Sequence, residues 1–172
     1  MSSLTVYHHS TPDTPNKVLT HLEDIAATLA EQGVRFERWQ ASAPIQPGAA
    51  EHEVIGAYQQ SIDKLMAEKA CSHVDVVREA DPRLLDEHTC EEDQLRFFAA
   101  GRGLFNLNIG GYLYAVLCEK GDLIGIPAGT RQWVDMGEDP RFVAIRVYNK
   151  PEGLVAHFTG EKIAEVFARL DD

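Results

Sequence analysis

No lysine- or arginine-rich cluster occurs in this sequence: 16 basic residues stand scattered against 27 acidic ones, for a formal net charge of -11 and a pI near 5.0. Neutralising a phosphate backbone takes a basic stripe, so nucleic acid is excluded as a partner, and an anionic membrane surface for the same reason. No apolar run is long enough to span a bilayer, and the opening MSSLTVYHHSTPD lacks the charged and apolar regions of a secretory signal. Three cysteines, Cys71, Cys90 and Cys118, make an odd number without a CxxC pair. That pattern fits reduced thiols in the cytosol rather than a disulfide framework. Repeats, low-complexity tracts and linkers are also missing, so residues 1–172 are expected to form one domain and to act as a cytoplasmic monomer on a small molecule.

The patterns that are present divide the chain into two parts. In about 1–85, helix and strand mix. Val18, Leu22, Ile25 and Leu29 recur at helical spacing before Gly33, and Val54, Ile55, Tyr58, Ile62, Leu65 and Met66 make a second apolar stripe. Short strands are expected at Leu4–Tyr7, Val34–Trp39 and His73–Val77. From about 86 to 158 the pattern becomes strands divided by turn residues: Leu95–Ala99, a run through Phe105, Leu107 and Ile109, a Gly110-Gly111 hairpin turn, Tyr112–Leu117, Asp122–Ile126 and Arg141–Tyr148. A final helix over about 160–170 carries Ile163, Val166, Phe167 and Leu170, with Thr159 as its N-cap. Such strands argue for a barrel or sandwich.

Two segments carry the chemistry. His88-Thr89-Cys90-Glu91-Glu92-Asp93-Gln94 is followed seven residues on by Gly101, and Gly121 is followed by Pro127-Ala128-Gly129-Thr130-Arg131-Gln132. Every framework position resembles the two motifs of the cupin superfamily. These read His-x-His, three or four residues, Glu, six residues, Gly; then Gly, five residues, Pro-x-Gly, two residues, His. Residues i and i+2 of a strand face one side, so His-x-His puts two imidazoles in the barrel mouth, where a Glu and a third His complete a divalent-metal site. The expected fold is therefore mainly β with some α: a cupin jelly-roll barrel with helices from the N-terminal half and a C-terminal helix.

The stretches DEHTCEEDQLRFFAAGRGLF and YAVLCEKGDLIGIPAGTRQWVDMGEDPRFVAIRVYNKPEGLVAHFTGE resemble the acireductone dioxygenase family, as do LTVYHHS and GVRFERWQA, although the chain is a few residues short before Leu85. The resemblance implies a methionine-salvage oxidoreductase that holds an acireductone enediolate on iron(II) or nickel(II) and adds O₂ across it. The iron form gives a 2-oxo acid and formate; the nickel form releases carbon monoxide. Of the family's four ligands only the first is kept, as His88; Cys90, Gln94 and Gln132 stand where it has His, Glu and His. Two amides and a thiol are a poor match for iron(II) or nickel(II), so no metal cofactor is expected, unless Cys90 ionises and a site survives on His88 and Cys90 with Glu92 or Glu87.

The candidate catalytic residues are thus His88, Cys90, Gln94, Arg96 and Gln132, and the candidate pocket residues are Leu84, Phe98, Val134, Arg146 and Leu154. Strand parity turns Arg96, Gln94 and Phe98 towards the barrel interior, and Arg146 shares parity with Phe142 and Tyr148. Each has a plainer reading beside the chemical one: His88 a satisfied core histidine, Cys90 an inert buried thiol, Arg96 half of an internal salt bridge. The expected function is a divergent acireductone dioxygenase-like cupin acting on an enediol- or enolate-like metabolite. The alternatives are a metal-dependent dioxygenase with a rebuilt site, and a non-catalytic cupin that binds a metabolite or a protein.

Overall fold

A computed structural model describes residues 1–172. In chain order the elements are β1 (Ser3–His8), β2 (Lys17–Leu19), α1 (Leu22–Ala30), β3 (Arg35–Arg38), α2 (Glu51–Gly56), α3 (Gln59–Lys69) and β4 (His73–Val77). There follow β5 (His88–Thr89), β6 (Gln94–Ala100), β7 (Arg102–Ile109), β8 (Tyr112–Glu119), β9 (Asp122–Ile126), β10 (Arg131–Asp135), β11 (Val143–Tyr148) and β12 (His157–Phe158). The strands build two antiparallel sheets: seven in the order β12-β5-β10-β7-β8-β1-β2, and five in the order β3-β9-β6-β11-β4. No helix is long and apolar enough to cross a membrane.

The sheets face each other, and period-two alternation assigns their residues to layers. Leu4, Val6, Phe36, Phe98, Phe105, Leu107, Val116, Ile124, Ile126 and Val134 pack together between the sheets. The opposite parity of the five-stranded sheet, Leu95, Phe97, Ala99, Leu123, Ile145 and Val147, packs under α2 and α3 through Val54, Ile62 and Leu65. The inner strands β6, β9 and β11 carry buried apolar residues on both faces because they have a core on both sides.

The motif glycines serve the backbone. Gly101 closes β6 at φ +77°, and a Cβ there would sit 2.1 Å from the Arg141 carbonyl oxygen. No L side chain fits that position, which explains the glycine without reference to chemistry.

Three expectations need correction. Val18 is not helical; it lies in β2 paired with Thr5, and α1 begins at Leu22. The second apolar stripe is two helices, α2 and α3, because Ser42 donates through both its backbone N–H and its hydroxyl to the Ala57 carbonyl. A carbonyl engaged that way does not continue an i→i+4 ladder. The C-terminal helix is only a 3-10 turn, Ile163–Val166. Thr159 caps no helix but donates its hydroxyl to Glu87. Tertiary anchors win over helix formation here: Asp135 accepts from the Leu170 N–H, Asp171 accepts from the Glu138 N–H, and Phe167 packs with Trp133 and Leu113.

Candidate functional site

The first motif lies on the short strand β5, wedged between β10 and β12: His88 is the cross-strand partner of Gln132 on one side and of Phe158 on the other. Cross-strand partners point to the same face, so His88 and Gln132 are neighbours. Beyond β5 the chain crosses towards the other sheet, and the Cys90 carbonyl accepts from Gly129 of the Pro127–Gly129 turn. Asp93 accepts from the Ala128 N–H of that turn. Gln94 then begins β6, and its amide nitrogen donates to the Cys90 sulfur at 2.9 Å.

All four of these side chains are buried, between 1% and 4% exposed. The His88 Nδ1 lies 2.8 Å from the Asp86 carbonyl oxygen, which can only accept, so Nδ1 carries the proton and Nε2 is the free lone pair. Burial holds the His88 pKa below the usual histidine range, and the nearby Arg96 pushes the same way. Burial raises the Cys90 thiol above its usual range, more than Arg96 and the Gln94 bond lower it. The thiol is therefore protonated, and its S–H faces the Leu154 carbonyl at 3.6 Å. The side-chain oxygens of Gln94 and Gln132 are buried without a donor.

Beside this cluster opens a cavity of about 550 Å³. Its wall is apolar in the greater part, including Val77, Leu84, Val134, Met136, Phe142 and Leu154; its charged lining residues are Glu79, Asp81, Asp135, Glu138 and three arginines, of which Arg83 pairs with Asp81 while Arg96 and Arg146 lie side by side. They are cross-strand partners on β6 and β11, a like-charge pair that one carboxylate has to relieve. Asp75 of β4 bonds Arg146 and acts on Arg96 only through its field: it takes a two-pronged contact from Arg146 at 2.8 and 2.6 Å, and a third bond from the Tyr148 hydroxyl at 3.0 Å. Arg96 has no ion-pair partner, and its Nε is buried without an acceptor. Desolvation, and then Arg146, bring its pKa down to about 10, so it keeps its charge at neutral pH.

Of the expected pocket residues, Leu84, Val134, Arg146 and Leu154 line the cavity, as does Arg96. Phe98 does not. It is fully buried in the core, edge-on to Phe105, because the β6 face that carries Arg96 to the cavity runs on beneath Phe142. None of His88, Cys90, Gln94 and Gln132 reaches the cavity wall. Sequence reasoning missed Asp75. Its signal was a lone carboxylate within the apolar strand His-Val-Asp-Val-Val.

The donor set can be tested against the iron(II) or nickel(II) that the resemblance implies. It comprises one imidazole nitrogen, one protonated thiol and two amide oxygens, with no carboxylate. No group of three or more His, Cys, Asp or Glu side chains is arranged to hold a metal ion. Neutral donors beside an unpaired guanidinium do not fit a divalent cation, whose charge nothing there would offset. The two carboxylates that could rebuild a site are committed elsewhere. Glu87 accepts from Asn108 and Thr159 at 2.7 and 2.8 Å, and Glu92 accepts from the backbone N–H groups of Asn149 and Lys150.

Comparison with known proteins supplies the context for this geometry. Residues 3–156 match the family model described as ARD/ARD' family. The chain is 62% identical to acireductone dioxygenase of Pseudomonas fluorescens (strain Pf0-1), and 61% identical to that of Pseudomonas syringae pv. syringae (strain B728a), in both cases over the full length of each protein. Among solved structures it resembles the acireductone dioxygenase from Bacillus anthracis with cadmium ion in its active center. That match has a TM-score of 0.77 and 22% identity, and covers 92% of this chain and 98% of the other. This likeness shows the fold, a cupin barrel.

Proposed function

The chain belongs to the ARD/ARD' family, and from that premise we propose that it is an acireductone dioxygenase-type oxidoreductase acting on a small enediol- or enolate-like metabolite, without that family's iron or nickel site. The observation that carries this reading is Arg96: a charged guanidinium facing a mostly apolar cavity, with a bare Nε and no carboxylate of its own. An enolate oxygen placed there would supply the missing acceptor, and in a partly desolvated site a charge-assisted bond is strong. Arg146, fixed by Asp75, adds positive potential at the same end, and the apolar wall suits a hydrocarbon or thioether tail. Anion binding holds the substrate in its electron-rich, deprotonated form, which can react with O₂ without a metal. His88, near Arg96 but behind the cavity wall, offers a neutral Nε2 base. In this reading the protein works as a single domain and a monomer in the cytoplasm.

One observation favours a non-catalytic cupin instead: the four residues at the family's ligand positions lie behind the cavity wall. Oxygen uptake on an acireductone-type enediol, combined with metal analysis of the purified protein, separates the readings. The expected result is iron and nickel far below one per chain and a slow turnover that chelators leave unchanged. Stoichiometric iron or nickel with chelator-sensitive cleavage would establish the rebuilt metal site. Tight binding of the enediol with no uptake would establish the binder.

A further inference from the structure

A second cavity, of about 390 Å³, lies on the flank of the barrel, and none of His88, Cys90, Gln94 and Gln132 lines it. It is enclosed by the loop Ile45–Ala49, by Val54 of α2, by Ala99 and Ala100 at the end of β6, and by Phe142 and Val143 leading into β11. Its charged lining residues are Arg78, Lys120 and Arg141, with no Asp or Glu among them. The chain carries 27 acidic residues against 16 basic ones, so a lining with three cations and no carboxylate runs against its composition.

The three cations are available. Arg78 donates one Nη2 bond to the Ala49 carbonyl at 2.5 Å, which fixes its direction and leaves the rest of its guanidinium free. Lys120, in the turn between β8 and β9, makes no ion pair. Arg141 pairs only with Asp139, at 3.1 Å, with both side chains at least 80% exposed. Such a pair is screened by water and yields readily to a better placed anion. The floor is apolar, through Val54, Ala99, Phe142 and Val143. The register between β6 and β11 also slips here: Val143 faces Ala100 while Ala144 faces Phe98, leaving Ala99 as the extra residue of a bulge. Bulges of this kind shape sites at sheet ends.

We propose that this flank cavity is a binding site for a small phosphate monoester with an apolar body. The phosphate sits among Arg78, Lys120 and Arg141, and the body lies on Val54 and Phe142. A doubly charged head suits three cations better than a carboxylate does, and the volume admits a body of about one ring. The site is separate from the substrate cavity, although Phe142 borders both.

Isothermal titration of the whole protein with phenyl phosphate tests this. The expected result is one equivalent bound, with affinity falling as salt is raised. The double variant Lys120→Ala/Arg141→Ala, altering two exposed residues, should weaken binding about tenfold or more, and Arg96→Met should leave it unchanged. Benzyl alcohol, inorganic phosphate and benzoate should each bind at least about tenfold more weakly than phenyl phosphate. Failure of the wild type to bind would overturn the proposal. So would loss of binding in Arg96→Met with the double variant unaffected, which would move the ligand to the central cavity. Equal affinity for inorganic phosphate would remove the apolar floor from the site, and equal affinity for benzoate would overturn the phosphate class.

Discussion

The cluster at the motif positions and the cavity beside it share strands, yet one is closed and neutral while the other is open and charged, with Arg96 unpaired in its wall. His88, Cys90, Gln94 and Gln132 are nearly solvent-free and carry no charge at neutral pH: a neutral imidazole, a protonated thiol and two amides. Arg96 and Arg146 face about 550 Å³ of space, and of the two only Arg146 is bonded to a carboxylate. In an ordinary metal site the charge that binds substrate is concentrated on the ion. Here Arg96 is a charge without an ion-pair partner, so in the proposed reading anion recognition runs through the cavity and not through the cluster. The two regions differ physically: a low-dielectric packing cluster tolerates neutrality, and a cavity can hold an unpaired guanidinium because solvent or ligand can reach it.

The largest effect on this contrast is expected from restoring charge to the closed region. Cys90→His, Gln94→Glu and Gln132→His together should raise bound iron or nickel from a small fraction to about one per chain, read by elemental analysis after loading and desalting. Metal binding should recover more fully than acireductone cleavage, because Val134 and Leu154 line a reshaped pocket. Metal-free triple variant after loading would show that the barrel mouth, and not the donors, has changed.

Removing charge from the open region comes next. Arg96→Met should lower kcat/KM on an enediol by roughly 100-fold, about 3 kcal/mol of lost charge-assisted binding. Its melting temperature should hold or rise, since an unpaired buried cation is replaced by a hydrophobe of similar length. Activity and stability moving in opposite directions is the signature of a binding residue; a falling melting point with unchanged activity would make Arg96 structural.

The smallest expected effect is on stability at alkaline pH. The folded state raises the Cys90 pKa, so the proton is held more tightly in the fold than in the unfolded chain. That contribution is fully present below the unfolded thiol's pKa and is lost as pH rises through the folded value. Cys118, raised well above its usual range by complete burial, behaves likewise. Cys90→Ala should cost about 1 kcal/mol at neutral pH through the lost Gln94 bond, and should flatten part of the alkaline fall in urea-unfolding stability, leaving the share due to Cys118. An unchanged alkaline slope in this variant would mean that the thiol is not shielded.

Much of this molecule is legible in its sequence. The β-region followed from period two, and the turns from glycines such as Gly101, whose geometry admits nothing else. The motif spacing brought His88, Cys90, Gln94, Arg96 and Gln132 to attention as one group. The misreadings share a cause. The Val18 stripe, the continuous helix through Tyr58 and the C-terminal helix all looked right by local periodicity, and each was decided by a distant partner: Thr5 in β1, the Ser42 bonds to Ala57, and Asp135 and Trp133 around the terminal turn. Phe98 had the right parity but the wrong depth.

Local pattern determines which face of a strand each residue takes and where the chain must turn, because those follow from backbone sterics within a few residues. It determined here that Cys90, Gln94 and Gln132 stand within an intact motif framework. What only the tertiary structure decided is which charges find partners. Asp75 could have served either arginine, and the register of β4 on β11, not of β6, assigns it to Arg146 and leaves Arg96 free. Pairing across strands is a property of register between segments some 70 residues apart, such as Asp75 and Arg146, and no local sequence pattern encodes it.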